Sequence, residues 1–461
     1  MDQKRSSFTG KIGFVLAAAG SAVGLGNIWR FPYLAAKYGG GIFLLVYIIL
    51  ALTFGFSLMM AETALGRKTG LSAIGAFKAL DKRYSFVGYL AAIVPIIILP
   101  YYSAIGGWVL RYLVGYVSGQ GTEMAATTVD AAGASVTFFD TYITSVVPPI
   151  LFFLIFIGLT AAIVMMGVEK GIEKVSKIMM PILVILILII ALYTCFAMPG
   201  AIDGVIYYIK PDLSHFSLMT VVAAMGQLFY SMSLAMGIMI TFGSYMKKDI
   251  SIEHSAHQIE LFDTGVAFLA GLMVIPAVFA FSGGDPSALN KGPGLMFVTL
   301  PKVFDVMPLG HFIGAAFFIM VFFAALTSAI SLMETIVSIF QDKLKMKRIP
   351  ACILVLGISL VLGLLSCLGY SGLSFVKIIG MQFLDLFDFI SNSILMPIVA
   401  FCTCLFVGYV IKPQALIDEV ELSGKFQLKK LFVVMIKYIC PVFAVVILVS
   451  SILDVFGIMK I

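Results

Sequence analysis

The stretch Gly20-Ser21-Ala22-Val23-Gly24-Leu25-Gly26-Asn27, followed closely by Trp29 and Arg30, sits in the middle of an otherwise apolar run from 11 to 36. A run of about 20 residues is enough to cross a hydrocarbon core of about 30 Å, so this one spans. In lipid every backbone N–H and C=O needs a partner, and an interrupted helix survives only where it is buried in protein or lines a cavity. Three glycines and an amide at mid-depth therefore mark a special place. Gly20 and Gly24 alone, at i and i+4, would be explained by close packing of two helices. Asn27 and Arg30 go further, because an arginine this deep costs at least about 2.5 kcal/mol on insertion scales and marks a cavity or an ion pair.

The rest of the chain supplies the same environment. Of 461 residues, 61% are hydrophobic and only 12% charged, with a mean hydropathy of +1.09. Soluble domains carry about 25% charged residues, so a water-soluble fold is excluded. Further apolar runs lie at 41–66, 86–118, 146–167, 176–198, 217–246, 260–282, 308–341, 350–369, 375–411 and 432–457, numbered segments 2 to 11. Several exceed what a vertical span requires, which predicts tilted or broken helices. The fold class is all-α: a polytopic membrane protein of 11 transmembrane helices in one domain over 1–461. The first run is too long for a cleavable signal and stays.

Charge reports topology rather than nucleic acid. Lys4, Arg5 and Lys11 share a side with Arg67, Lys68, Lys78, Lys82 and Arg83, with Lys247 and Lys248, and with Lys343, Lys345, Lys347 and Arg348. The opposite loops hold little more than Lys37, Lys210, Lys291, Lys302 and Lys377. The positive-inside rule makes the N-terminus cytoplasmic, and an odd number of crossings leaves the C-terminus outside, in the cell inner (plasma) membrane. The stretch 119–145 reads as a flexible outer loop. The six cysteines show no disulfide or zinc pattern, and Cys402 and Cys404 read as fillers facing lipid or a neighbouring helix. His254 and His257 are spaced for a metal pair, but with no third ligand type nearby they read as a solvated loop.

Segment 6 is interrupted at a similar depth by Tyr230-Ser231-Met232-Ser233-Leu234-Ala235-Met236-Gly237. Five crossings separate the two breaks. Five is odd, so a chain repeating after five segments inserts its second copy upside down, and paired breaks in matching positions point to a transporter's midplane site. In segment 8, Ala324, Thr327, Ser328, Ser331 and Leu332 share one helical face. Hydroxyls there could bond back to their own helix. Opposite an unwound backbone they would instead offer a dehydrated monovalent cation the oxygens that replace its water. Glu62, Asp263, Asp388 and Glu334 each need a partner inside the membrane. Asp388 is the expected mate of Arg30, and Asp342 of Arg5. Glu62 is expected to accept from backbone N–H groups freed in segment 6, and Glu334 has no evident partner.

Taken with Phe31-Pro32, Gly39-Gly40-Gly41, Tyr101-Tyr102, Gly226-Gln227, Ser244-Tyr245, Leu326-Thr327-Ser328 and Asp388-Phe389, these residues resemble the neurotransmitter:sodium symporter family from the first span to the tenth. The resemblance implies a five-plus-five inverted repeat, about 11–198 and 217–411, with segments 1 and 6 unwound at the midplane and an additional helix at about 432–457. Eleven spans resemble the bacterial subgroup that carries tyrosine and other hydrophobic amino acids. Two sodium ions are implied. The first would be held by the carbonyl of Ala22 with Asn27, Ser231 and Asp263, the second by carbonyls of Gly20, Val23 and Ala324 with the hydroxyls of Thr327 and Ser328.

The same resemblance implies that a substrate carboxylate meets the N–H groups of Leu25 and Gly26 and the hydroxyl of Tyr102, and that its amine meets carbonyls of segments 1 and 6. Monoamine carriers of the family have aspartate where Gly24 stands, so an α-amino acid is the expected substrate. Its side chain would lie among Ile98, Tyr230, Ser233, Met236, Ser331 and Leu332, with Ala22 and Ser328 close by. That pocket holds no charge and would reject charged substrates; the expected substrates are neutral hydrophobic or aromatic L-amino acids. Family members that need chloride have asparagine where Asp263 stands, so chloride is expected to be dispensable, and proton counter-transport on this carboxylate is a further expectation. Arg30 and Asp388 would gate the outer side, Arg5 and Asp342 the inner. The implied partners are the amino acid and membrane lipid, with no nucleic acid; nothing in the sequence specifies an oligomer. An intramembrane aspartyl protease needs a spacing that Gly283-Gly284-Asp285 lacks, and no enzyme is expected; a channel or an amino-acid sensor could share the fold and would differ in its fluxes.

Overall fold

A computed structural model describes residues 7–129, 133–283 and 292–455. Nine helices among these are long and apolar enough to cross a membrane: Gly41–Thr69, Lys82–Val117, Val147–Met165, Val168–Phe196, Ile252–Phe281, Gly310–Leu344, Arg348–Leu368, Phe383–Val410 and Lys429–Val455, which are segments 2 to 5 and 7 to 11. Segment 1 is a bent pair, Lys11–Ala22 and Gly26–Lys37, meeting at 55°. Segment 6 is also two pieces, Leu218–Ser231 and Ile238–Ser244, with residues 232–237 unwound between them. With the bent pair counted as one span the described residues hold up to ten candidate crossings, segment 6 adds a shorter apolar helix, and the two interrupted segments are those whose sequences carry the breaks.

Segments 1 and 6, 2 and 7, 3 and 8, and 4 and 9 each pack against each other. Outward faces stay apolar and exposed: Ile185, Ile189 and Leu192 on segment 5, at i, i+4 and i+7, are each 55–56% accessible. Such a stripe is stable only against lipid.

Local chemistry moves several boundaries. Ser251 Oγ accepts from His254 N at 3.3 Å and so caps segment 7 at Ile252 rather than near 260. His254 and His257 are therefore helical, which corrects the loop reading, and the His257 ring stacks on Phe56 with centroids 4.5 Å apart. Segment 5 likewise starts at Val168, behind Gly167 at φ +95°. The stretch 119–145 is structured, against expectation. A helix at Gly121–Ala125, an antiparallel pair of short strands (Thr127–Val129 with Ser135–Thr137) and a helix at Phe138–Thr144 fill its described part. A reciprocal capping box between Thr137 and Asp140 starts the last helix. Phe139 then stacks on Phe297 at 4.9 Å and meets Trp108 edge-on at 5.2 Å, which pins the loop to the bundle. All six cysteines are free thiols; Cys404 is buried and Cys402 half-buried.

Candidate functional site

The two breaks face each other. Between them lies a small hollow of about 30 Å³ lined by Ser21, Ala22, Gly24, Leu25, Gly26 and Asn27 of segment 1 and Tyr230, Ser231, Ser233, Met236 and Ile238 of segment 6. Segment 3 contributes Ile98 and Tyr102, and segment 8 contributes Ser328 and Leu332. No ionisable carboxylate, amine or guanidinium is in the lining. The unwound strand of segment 6 keeps its path through left-handed backbone at Ser233 (φ +53°), Ala235 (φ +60°) and Gly237 (φ +70°). Only the glycine adopts that region freely; the other two cost about 1–2 kcal/mol each. Glu62 of segment 2, itself buried, offsets part of this by accepting from Ala235 N at 2.7 Å. Gln227 Nε2 donates to the Gly26 carbonyl at 3.0 Å and ties the breaks together.

Oxygen atoms converge at two places beside this hollow. At the first, Asn27 Nδ2 donates to Ser231 Oγ at 2.9 Å and to Asp263 Oδ1 at 2.7 Å. Ser231 Oγ in turn lies 2.8 Å from Asp263 Oδ1 and 3.0 Å from Oδ2. Tyr47 of segment 2, which no motif marks, donates to Asp263 Oδ2 at 3.3 Å. Asp263 is wholly buried with neutral neighbours only in direct contact. At the second place, Ser328 Oγ lies 3.3 Å from the Gly20 carbonyl, 3.1 Å from that of Ser21 and 3.3 Å from that of Val23. Thr327 Oγ1, one residue back, lies 3.2 Å from the Ala324 carbonyl. The second cluster consists of carbonyl and hydroxyl oxygens, the donor set of a hard monovalent cation; at the first, hydroxyl and carboxylate oxygens meet the Asn27 amide nitrogen, the amide oxygen accepting from Gly24 N at 3.1 Å.

The expected hydroxyl face of segment 8 divides. Ser328 reaches across to segment 1, whereas Ser331 Oγ donates to the Thr327 carbonyl at 3.0 Å, inside its own helix. Ser331 is buried but does not line the hollow, unlike the other expected pocket residues. Ser21 and Ile238 line it without having been expected. Space is tight around the first break: a Cβ at Gly24 would lie 2.9 Å from Ser328 Oγ and 3.1 Å from Tyr102 Oη. Leu25 N donates to Tyr102 Oη at 3.4 Å, which brings the hydroxyl against the start of the second half of segment 1.

Above the hollow the expected gate pair is separated. Asp388 accepts from Tyr101 Oη at 3.1 Å and Asn392 Nδ2 at 2.6 Å, and the Arg30 guanidinium lies over the Tyr230 ring, 5.7 Å from its centroid. No direct Arg30–Asp388 ion pair occurs among the described residues, because each group already has nearer company. Below, Arg5 lies outside the described residues, as does Asp285. Asp342 Oδ2 accepts from Ser72 N at 2.7 Å. Glu334 is paired after all: Arg348 holds it through both terminal nitrogens and Tyr245 Oη donates to it at 2.8 Å. Arg348 counted as a loop charge in the sequence, and only the tight turn between segments 8 and 9 folds it back. Phe8, fully buried, packs edge-on against Phe14, Phe242 and Tyr245 at the end of the bundle where the chain begins its first span.

Comparison with known proteins follows the same geometry. The profile of the "Sodium:neurotransmitter symporter family" matches residues 5–126 and 139–459. The sodium-dependent transporter YhdH of Bacillus subtilis (strain 168) is 36% identical, with 91% of each chain covered. A sodium-dependent transporter of Haemophilus influenzae is 32% identical, covering 98% of this chain and 99% of its own. Among solved structures, that of MhsT in complex with L-phenylalanine superposes with a TM-score of 0.85 at 37% identity, covering 97% of this chain and all of the other.

Proposed function

The chain belongs to the sodium:neurotransmitter symporter family, a family of sodium-dependent transporters and not of enzymes, and from that premise we propose that it imports neutral hydrophobic or aromatic L-amino acids, driven by two sodium ions. The observation that carries the specificity is the lining of the hollow: donors and carbonyls at the broken helices, and only apolar or hydroxyl groups around the rest. An amino acid's carboxylate fits the N–H groups of Leu25 and Gly26 with the Tyr102 hydroxyl, because a freed helix start presents donors and a positive dipole. Its side chain fits against Ile98, Met236 and Leu332, where a charge would have no partner. The phenylalanine complex of MhsT supports this reading.

The first sodium fits Asn27, Ser231, Asp263 and the carbonyl of Ala22. The second fits the carbonyls of Gly20, Val23 and Ala324 with Thr327 and Ser328. Asp263 supplies a fixed negative charge, so a bound chloride would meet like-charge repulsion and transport runs without it. With its cation gone, the carboxylate returns through the membrane carrying a proton. Transport proceeds by alternating access. Sodium entering from the outer side organises the breaks, the amino acid completes the first shell, Arg30, Asp388, Tyr102 and Tyr230 close above it, and release of Phe8 and of the expected Arg5–Asp342 pair opens the way in. The N-terminus is cytoplasmic and the C-terminus outside, as the lysine-rich loops support.

Uptake of a panel of labelled amino acids into proteoliposomes tests the whole scheme. Tyrosine, phenylalanine, tryptophan or leucine should accumulate on an inward sodium gradient, and glutamate or lysine should not. Replacing chloride by gluconate should leave the rate unchanged, and acidifying the interior should raise it. Accumulation without sodium, or an absolute need for chloride, would reject the scheme.

A further inference from the structure

A second hollow, of about 490 Å³, opens on the lysine-rich face, away from the transport site. Its floor is Leu71, Ile74, Gly75 and Ala79 from the helix Ala73–Leu80 and the turn before it. Its rim carries Lys78 and Lys82 on one side and Lys343 and Lys345 on the other, with Asp342 the single carboxylate among them. Four ammonium groups against one carboxylate around an apolar floor make a poor resting place for water alone and a good one for an anionic group with a greasy stem. We infer that this hollow is a binding site for the headgroup of an anionic phospholipid.

The position fits. Phe86 and Tyr89, on the first turns of segment 3, are 49% and 43% exposed, and Leu344 and Ile349 beside the other rim are 54% and 57% exposed. Exposed rings and aliphatic chains at the end of a spanning helix mark the membrane–water boundary. The Lys343 ammonium lies 5.2 Å from the centre of the Tyr89 ring, so the rim and the lipid-facing side of segment 3 are continuous. A phosphodiester drawn to the lysines keeps its acyl chains along that side. Basic pockets between helices at this depth recognise anionic headgroups, and each lysine near the surface contributes roughly five-fold in affinity. The floor helix is also tied to segment 8, since Ser72 N donates to Asp342 Oδ2 at 2.7 Å. A lipid bridging the two lysine pairs would hold the same two elements together across the inner end of the transporter.

The test uses the full chain in nanodiscs of phosphatidylcholine doped with phosphatidylglycerol, with retained lipid counted by native mass spectrometry after gentle detergent release. The wild-type protein should retain phosphatidylglycerol in preference to phosphatidylcholine. Replacing all four lysines (Lys78→Gln, Lys82→Gln, Lys343→Gln, Lys345→Gln) should abolish the preference, and the four Lys→Arg replacements should keep it. Should the quadruple variant not fold, the pairs Lys78→Gln with Lys82→Gln and Lys343→Gln with Lys345→Gln decide, each lowering retention about 25-fold, the product of two five-fold losses. Undiminished retention in the glutamine variants overturns the site. Equal loss on replacing Lys425, Lys429 and Lys430 instead would mean diffuse surface attraction and overturn it as well. Displacement of the lipid by millimolar inorganic phosphate would mean a free-anion site, which also rejects the headgroup.

Discussion

Asp263 shows what a single residue contributes. Buried among Asn27, Ser231 and Tyr47, its carboxylate has donors but, among the described residues, no cationic side chain in contact. Removing one partner of a buried charge pair costs about 2–5 kcal/mol, much of it from the charge left behind. Asp263→Asn should accordingly weaken sodium binding by about 30-fold or more, and adding chloride should restore part of the loss; isothermal titration with and without chloride measures both. Tyr102→Phe removes the hydroxyl that accepts from Leu25 N and that the proposed site offers to the substrate carboxylate. A hydrogen bond to a charged group contributes about 1.5–3 kcal/mol, so the amino-acid Kd should rise by about 10- to 100-fold with little change in melting temperature. Asn27 and Asp263 were legible in the sequence because polar groups are expensive at that depth. Tyr47 was not: it is one of 18 tyrosines, and only the packing of segment 2 on segment 7 brings it to the carboxylate.

At the scale of elements, the two breaks were unequally legible. Segment 1 announces its break with Gly20, Gly24 and Gly26, whereas segment 6 reaches the same result with left-handed Ser233 and Ala235, which no propensity would place there. Neighbouring structure enforces that path, and Glu62 is the visible part of the enforcement. Glu62→Gln keeps an acceptor for Ala235 N and should bind substrate nearly as well as the wild type. Glu62→Ala leaves a buried N–H without a partner, which costs about 1–3 kcal/mol. Its melting temperature should fall and substrate binding weaken at least ten-fold, in a scintillation-proximity assay. Equal behaviour of the two variants would mean that the segment 6 path does not depend on this contact. Element ends were the least legible feature: the Ser251 cap and the Thr137–Asp140 box each add order where the apolar pattern alone suggested loop.

The whole molecule is sealed at one end. The inner seal joins segments that belong to different repeats: Phe8 packs on Phe14 and Phe242, its N–H donates to the Tyr245 carbonyl at 3.3 Å, and Tyr245 reaches on to the Glu334–Arg348 pair. Arg67 and Glu419 form a second buried pair at 2.9 Å that locks the turn after segment 10 to the same face. At the opposite end Arg30 lies over Tyr230 and Asp388 accepts from Tyr101 and Asn392, with no direct ion pair between the two charges among the described residues. A molecule that alternates must trade one seal for the other, and each contact confined to the inner seal biases the trade toward the outward-facing state. Phe8→Ala removes a fully buried ring, a change that costs about 3–5 kcal/mol in a packed core. If the cost falls on the sealed state alone, the balance shifts inward and the apparent amino-acid affinity drops in proportion to the outward-facing fraction that remains. Thr335 is fully buried on segment 8, between the hollow and the seal. A cysteine introduced there should react with a maleimide at least ten-fold faster in the Phe8→Ala background than in its absence. Sodium should slow that reaction, because an ion that binds the outward-facing state better draws the population back by its own differential affinity. An unchanged labelling rate, with or without sodium, would mean that Phe8 stabilises both states equally and that the inner end opens elsewhere.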